Sequence, residues 1–310
     1  MTWQPTATIE TLKQRAEIIA KIRDFFAKRQ VLEVETPLLC SGSVPSPYIE
    51  SFQVGNKYLQ TSPEFLMKRL LAAGSGSIYQ IGKVFRLEES GRLHNPEFTL
   101  LEWYRVGFDH RDLMKEVNDL LQMILHCEPC EAITYQALFE KYLQINPHAI
   151  SESELKACAR AGGLTTIELQ DKDDWLNLLL THFIEPHLGV DKPCFVYDYP
   201  VSQSALAKIQ IRDDGIAVAE RFEVYCQGIE LGNGFHELAD SQEQLARFEA
   251  ELVVRKVNHQ HITAIDRRFV ESLDHLPACA GVALGIDRII MLVLGKKSIK
   301  EVMSFDFQRA

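Results

Sequence analysis

Phe85-Arg86-Leu87-Glu88-Glu89-Ser90-Gly91-Arg92-Leu93-His94-Asn95-Pro96-Glu97-Phe98-Thr99-Leu100-Leu101-Glu102-Trp103-Tyr104 decides how this chain reads. Two strand-like segments flank a polar turn, and the charges they carry suit a nucleotide. Arg86 offers a planar fork of donors for a phosphate or carboxylate. Glu88 and Asn95 bring acceptors and donors suited to a base edge, and Phe98 supplies a flat apolar face for stacking. The second segment alternates with period two, so Phe98, Leu100, Glu102 and Tyr104 share one face. A carboxylate and a phenol therefore stand beside a nucleotide platform, which suits a ligand carrying an ammonium group.

Working outward, Ile9, Leu12, Ala16, Ile19, Ile22 and Phe26 repeat at helical spacing. They lead into Val31-Leu32-Glu33-Val34-Glu35-Thr36-Pro37, where proline fits a strand end or edge. Near the other end, Gly281-Val282-Ala283-Leu284-Gly285-Ile286-Asp287-Arg288 reads as a glycine-rich strand entering a buried helix, with Gly285 allowing a ligand close to the backbone. In this order the three blocks resemble motifs 1, 2 and 3 of the class II aminoacyl-tRNA synthetases, and His94-Asn95-Pro96-Glu97-Phe98 resembles the lysine branch. The resemblance implies an α+β fold, an antiparallel β-sheet flanked by helices, and a homodimer built on motif 1.

Between the blocks, Tyr58-Leu59-Gln60 reads as a short strand and Phe65 to Leu71 as a helix, with Pro63 in its first turn and Ser62 as N-cap. Residues 111–187 read as a helical insertion, over 111–126, 133–143, 152–162 and 173–185, inside a single catalytic domain spanning 1–310. Pro193 to Asp198 resumes the sheet. Gln227-Gly228 has the length and glycine content of a two-residue hairpin turn. That register sets Glu230 opposite Tyr225 and puts Glu223 diagonal to Glu230, close enough for two carboxylates to converge on one ion. Mg²⁺, a hard cation taking oxygen ligands, suits such a pair.

Composition excludes several classes. The chain has 310 residues, 46% hydrophobic and 25% charged, enough for a substantial core. No apolar run is long enough to cross a bilayer, and Met1-Thr2-Trp3-Gln4-Pro5 lacks the character of a signal peptide. Seven scattered cysteines, an odd count without a framework, point to reduced thiols in the cytoplasm. Cys127-Glu128-Pro129-Cys130 is the sole close pair, and zinc needs a second pair at suitable spacing. The net charge of −10 and the lack of a Lys/Arg run argue against a grip on long nucleic acid. Synthetases of this branch carry an N-terminal anticodon-reading β-barrel of the OB type. Here the motif 1 helix begins within the first ten residues and leaves no room for it, so no anticodon binding is expected.

Residue by residue, the resemblance assigns ATP to Arg86, Glu88, His94, Asn95, Phe98, Glu230, Leu231, Gly285 and Arg288, with Arg86 and Arg288 catalytic. It assigns Mg²⁺ to Glu223 and Glu230. The amino-acid substrate falls to Ser62, Pro63, Glu64, Glu102, Tyr104, Asn233, Phe235, Glu237 and Ala283. Within that set Glu102, Tyr104 and Glu237 hold a distal ammonium, Glu64 the proximal amine, and Asn233 with Arg86 the carboxylate. Glu64, Glu102, Glu230 and Glu237 at one pocket would repel one another unless a dication and Mg²⁺ neutralise them, which favours a lysine-like substrate over aspartate. The family has alanine at Ser62 and glycine at Ala283, and both changes add bulk near the proximal amine. Leu87 stands where the family often has asparagine, with no evident reason. These departures resemble the bacterial paralogues of lysyl-tRNA synthetase, which attach (R)-β-lysine to a lysine of translation elongation factor P through an adenylate. A minimal lysyl-tRNA synthetase and a non-catalytic synthetase-like regulator stand as alternatives.

Overall fold

Thr8 opens the first helix, Ile9–Lys28, because its hydroxyl accepts the Thr11 N–H at 3.1 Å. The computed structural model describes residues 3–87, 90–169 and 171–310. The helix buries Ile18, Ile22, Phe25 and Phe26. The expected stripe is therefore only half right. Ile22 and Phe26 face inward, whereas Ile9 is 62% exposed and Ala16 is exposed too. Aromatic packing sets the buried face: Phe26 stacks on Tyr79 at 4.4 Å and meets Trp103 edge-on at 5.2 Å.

The chain forms two compact units. The first comprises Met1–Asp109, Met123–Leu125 and Glu237–Ala310. Its sheet runs Leu32–Glu33, Ile78–Phe85, Glu97–Val106, Cys279–Gly285 in spatial order. The first pairing is parallel and the next two antiparallel. The sheet is thus mixed, with antiparallel pairing where the motif 2 and motif 3 strands meet. Strand 1 is shorter than expected, although the Val34 N–H still reaches the Tyr79 carbonyl at 2.8 Å. A second small sheet joins Leu39–Cys40, Lys57–Leu59 and Gln53–Val54. The helix Glu64–Ala72 begins at Pro63, which takes the N-cap position expected for Ser62. The Ser62 hydroxyl still accepts the Glu64 N–H at 3.1 Å.

A buried clamp fixes this unit. Arg15 donates to Asp287, to the Thr99 hydroxyl and to the Val302 carbonyl. The helix Ile286–Val293 follows its strand directly, burying Ile286, Ile289, Ile290 and Met291. The turn between the motif 2 strands is fastened to the C-terminal stretch, since the Arg92 carbonyl accepts both the Ile299 N–H and the Ser298 hydroxyl.

The second unit comprises His110–Gln122 and His126–His236. The helical stretch expected over 111–187 appears as His110–Leu125, Tyr135–Leu143, Glu152–Ala161 and Lys172–Leu179, the last running on through a wider turn over Leu180–Ile184. It shares one core with the strands that follow: Tyr135, Phe139, Leu155 and Trp175 pack with Val196, Tyr199 and Tyr225. The strand Cys194–Pro200 pairs with Ala217–Cys226, which pairs with Ile229–His236, both antiparallel. Tyr225 lies opposite Glu230 as expected. A bulge between Val224 and Tyr225 then shifts the register by one, so Glu223 faces Asn233 directly. Among the described residues no helix is long and apolar enough to cross a membrane.

Candidate active site

Three carboxylates converge in the first unit, and each arrives from a different element. Glu64 is the first residue of its helix. Glu102 stands mid-strand, flanked in register by Gln80 on one side and Ala283 on the other. Glu237 is fixed at its main chain by the Cys279 carbonyl, 3.0 Å away. Glu102 and Glu237 are each 3% exposed.

Hydroxyls hold Glu102 in place. Ser62 donates to one carboxylate oxygen at 2.6 Å and Tyr104 to the other at 2.7 Å. Glu237 is held by charge: Lys68 Nζ lies 2.5 Å from its Oε2 and 2.8 Å from Glu64 Oε1. The Lys68 side chain is fully buried, and its ammonium also sits 5.9 Å over the Phe269 ring. Gly281 makes room for this cluster, because a Cβ there would strike the Tyr104 ring and Glu237.

Burial raises the Glu102 carboxyl to about 7, with the Glu64 charge adding to the rise and the two hydroxyls opposing it. Burial likewise raises Glu237 to about 8, against the pull of Lys68. The Lys68 ammonium moves upward despite burial, because Glu237 and Glu64 stabilise its charge. The site is therefore an acid pocket with one cation already inside. Lys68 goes unflagged by the sequence patterns, although its i+4 spacing from Glu64 is the signal that marks it. Its presence corrects the expected charge balance, in which only a ligand and Mg²⁺ offset the carboxylates.

The residues expected to meet the nucleotide lie around the motif 2 turn. The Arg86 guanidinium sits 5.2 Å over the Phe98 ring, a cation–π contact that holds the fork in place. Arg288 donates to the Leu93 carbonyl at 3.3 Å and meets His94 Nε2 at 2.8 Å, so these two expected phosphate contacts stand together. Asn95 differs from expectation. Its amide donates to the Glu97 carbonyl at 2.6 Å and accepts the Phe307 N–H at 3.0 Å. These two bonds give the Asn95 side chain a supporting task in the turn. Glu88 lies outside the described residues.

The family model of the class II tRNA synthetases (D, K and N) matches residues 2–309. The chain belongs to the class II tRNA synthetase family. It is 52% identical to the elongation factor P--(R)-beta-lysine ligase of Vibrio parahaemolyticus serotype O3:K6 (strain RIMD 2210633), over 98% of each chain. Proteins of the same name from Yersinia enterocolitica serotype O:8 / biotype 1B and from Salmonella dublin are 50% and 48% identical, over 99% and 100% of this chain and 98% of theirs.

A synthetase of this family uses ATP, and the second unit holds the acidic hairpin expected to carry its metal. Glu223 is buried and well occupied. Arg221 donates to one oxygen at 2.5 Å, while Tyr199 and Tyr225 donate to the other at 2.7 and 2.5 Å. Arg221 also donates to Asn233 at 3.2 Å. Glu185, which the sequence did not mark, joins this hairpin through Tyr225 at 3.4 Å. Burial, then the charges of Glu223 and Glu230, raise its carboxyl to about 7. Three carboxylates with Arg221 as the cation among them leave acid in excess, and all offer oxygen. The donor set fits a hard divalent ion. Phe235 lies on this hairpin opposite Arg221, while Leu231 is buried beside Glu230. A separate polar cluster brings His110, Glu220 and His236 within 4.8 Å of one another. The 2.6 Å contact between His236 and Glu220 satisfies that pair without an ion.

Proposed function

We propose that the chain activates (R)-β-lysine with ATP as an aminoacyl-adenylate and transfers it to a lysine ε-amine of translation elongation factor P. It is a ligase of the class II synthetase family, and its relatives' names supply both substrates. The observation that carries this reading is the acid pocket of Glu64, Glu102 and Glu237, which suits a substrate with two ammonium groups.

In this reading the substrate's ammonium groups dock on Glu64, Glu102, Tyr104 and Glu237. Its carboxylate attacks the α-phosphate, the bond to pyrophosphate breaks, and negative charge grows on the α-phosphoryl oxygens. Arg86 stabilises that charge, held over Phe98 so that little reorganisation is needed. Arg288, fixed by His94 and the Leu93 carbonyl, binds the nucleotide. Catalysis is then positioning and electrostatics. Glu223 and Glu230 would hold Mg²⁺, which neutralises phosphate oxygens when bound. In the second step the acceptor amine, having lost a proton, attacks the acyl carbonyl, AMP leaves and an amide forms.

Ser62 and Ala283 bear on which isomer fits. Ser62 touches Glu102 directly, and Ala283 is its neighbour in register. A single methyl in a filled pocket discriminates by ~1–3 kcal/mol, so this bulk suits an amine moved from the α to the β carbon. A homodimer in the cytoplasm is the expected working form, and the exposed apolar residues Ile9, Leu32, Leu38 and Leu39 of the motif 1 segment support pairing there.

The test is mass spectrometry of elongation factor P after incubation with the protein, ATP and each lysine isomer. One added lysyl mass, greatest with (R)-β-lysine, is the expected result. Label arriving on tRNA and not on elongation factor P would overturn it.

A further inference from the structure

We propose that Lys68 is a built-in counter-ion, a positioning residue that sets the charge of the acid pocket so that it accepts a dication and refuses a monocation. The inference rests on the reading of this pocket as the amino-acid site.

Three carboxylates, Glu64, Glu102 and Glu237, stand against the single ammonium of Lys68. When all are ionised, the pocket lacks two positive charges. A ligand with two ammonium groups supplies that deficit. A ligand with one leaves a carboxyl that must either stay charged without a partner or take up a proton, and either weakens binding.

The geometry gives Lys68 no other task. Side chains on a helix lean toward its N-terminus, so Lys68 reaches back one turn to Glu64 and then to Glu237. Its side chain has no exposure to solvent. Its ammonium donates to Glu64 at 2.8 Å and pairs by charge with Glu237, and the Phe269 face lies beside it. Phe269 is itself fixed by stacking on Phe65 at 4.1 Å. Lys68 thus holds Glu64 and Glu237 together without a ligand. The titratable groups around it are Glu64, Glu102, Glu237, Tyr104 and Cys279, and its charge acts on Glu102, Glu237 and Cys279.

Two measurements test this. In the first, Lys68→Ala is assayed by ATP–pyrophosphate exchange with (R)-β-lysine, with and without propylammonium or 1-propanol. The expected result is a KM raised at least ~10-fold with kcat changed far less, and recovery with propylammonium but not with the neutral alcohol. An unchanged KM, or equal recovery with propanol, overturns the proposal, because either outcome makes Lys68 a space-filler.

The second measurement uses the unaltered protein and so does not depend on whether the variant folds. Calorimetry compares 1,5-diaminopentane with pentylamine. The diamine is expected to bind at least ~30-fold tighter, and binding within threefold of each other overturns the proposal. Diamine selectivity without exchange on any lysine isomer would instead remove the proposed reaction and leave the counter-ion standing.

Discussion

Asp287 accepts the Arg15 guanidinium at 2.6 Å through one oxygen and the Thr99 N–H at 2.7 Å through the other. One carboxylate thus ties the first helix, the strand that bears Glu102 and the helix that bears Arg288. Removing one partner of a buried pair leaves the other charge uncompensated, at a cost of ~3–5 kcal/mol. Asp287→Ala should lose about that much in urea denaturation, and a loss below ~1 kcal/mol would show that the clamp is ornamental.

The pocket also makes stability depend on pH. Glu102 and Glu237, raised from 4.5 to about 7 and about 8, bind more protons folded than unfolded in that interval. Stability therefore falls as pH rises through it. Glu185 and Glu251, both raised to about 7, act in the same sense. The melting temperature of the free protein should drop between about pH 5 and about pH 8. A bound diamine needs the ionised carboxylates, so its stabilising effect should grow over the same interval. A diamine shift equal at both ends of the range would contradict the assignment.

Gly281 is required for space. A methyl group there meets the Tyr104 ring and Glu237, so Gly281→Ala should displace both from the Glu102 cluster. We expect KM for the diamino acid to rise ~10-fold or more, with KM for ATP nearly unchanged in exchange assays. Equal losses for both substrates would indicate general misfolding.

Asn95 offers a contrast between binding and support. Both ends of its amide serve the main chain at Glu97 and Phe307. Asn95→Ala should cost ~1–3 kcal/mol of stability by leaving those groups unpaired, and should change KM for ATP by less than about threefold, well under the tenfold step worth 1.4 kcal/mol. A large rise in KM for ATP without loss of stability would return Asn95 to the nucleotide.

Gln80 is the neighbour of Glu102 in register, and it is buried with no partner for its amide oxygen among the described residues. An acceptor so placed beside a carboxylate would take an N–H from a bound ligand. Gln80→Leu should leave stability unchanged or slightly increased while raising KM for the diamino acid. A decrease in both stability and KM would exclude this role.

Much of this was legible in the residues because the chemistry is local. The alternation that places Glu102 and Tyr104 on one face, the strands around the polar turn and the glycine-rich strand before Arg288 all follow from period and turn signals. Long-range geometry was not legible. The bulge at Val224/Tyr225 moved Glu223 opposite Asn233, and Gly232, which faces Val224 at the shift, is a local signal that a strict period-two reading passes over. The buried face of the first helix was set by Phe26 finding Tyr79, a partner more than fifty residues away. The supporting bond of Asn95 to Phe307 cannot be seen from the motif, because that partner lies some two hundred residues away. Lys68 carried no reading of its own, because its second partner, Glu237, lies far along the chain.

An inhibitor chemist should therefore count amines before adding them. A polyamine arm is a common way to improve a ligand for an acidic cavity, but here one berth is occupied by the protein itself. Analogues with two amines should mark the ceiling of potency, and a triamine should lose affinity by having to compete with a tethered rival that cannot diffuse away.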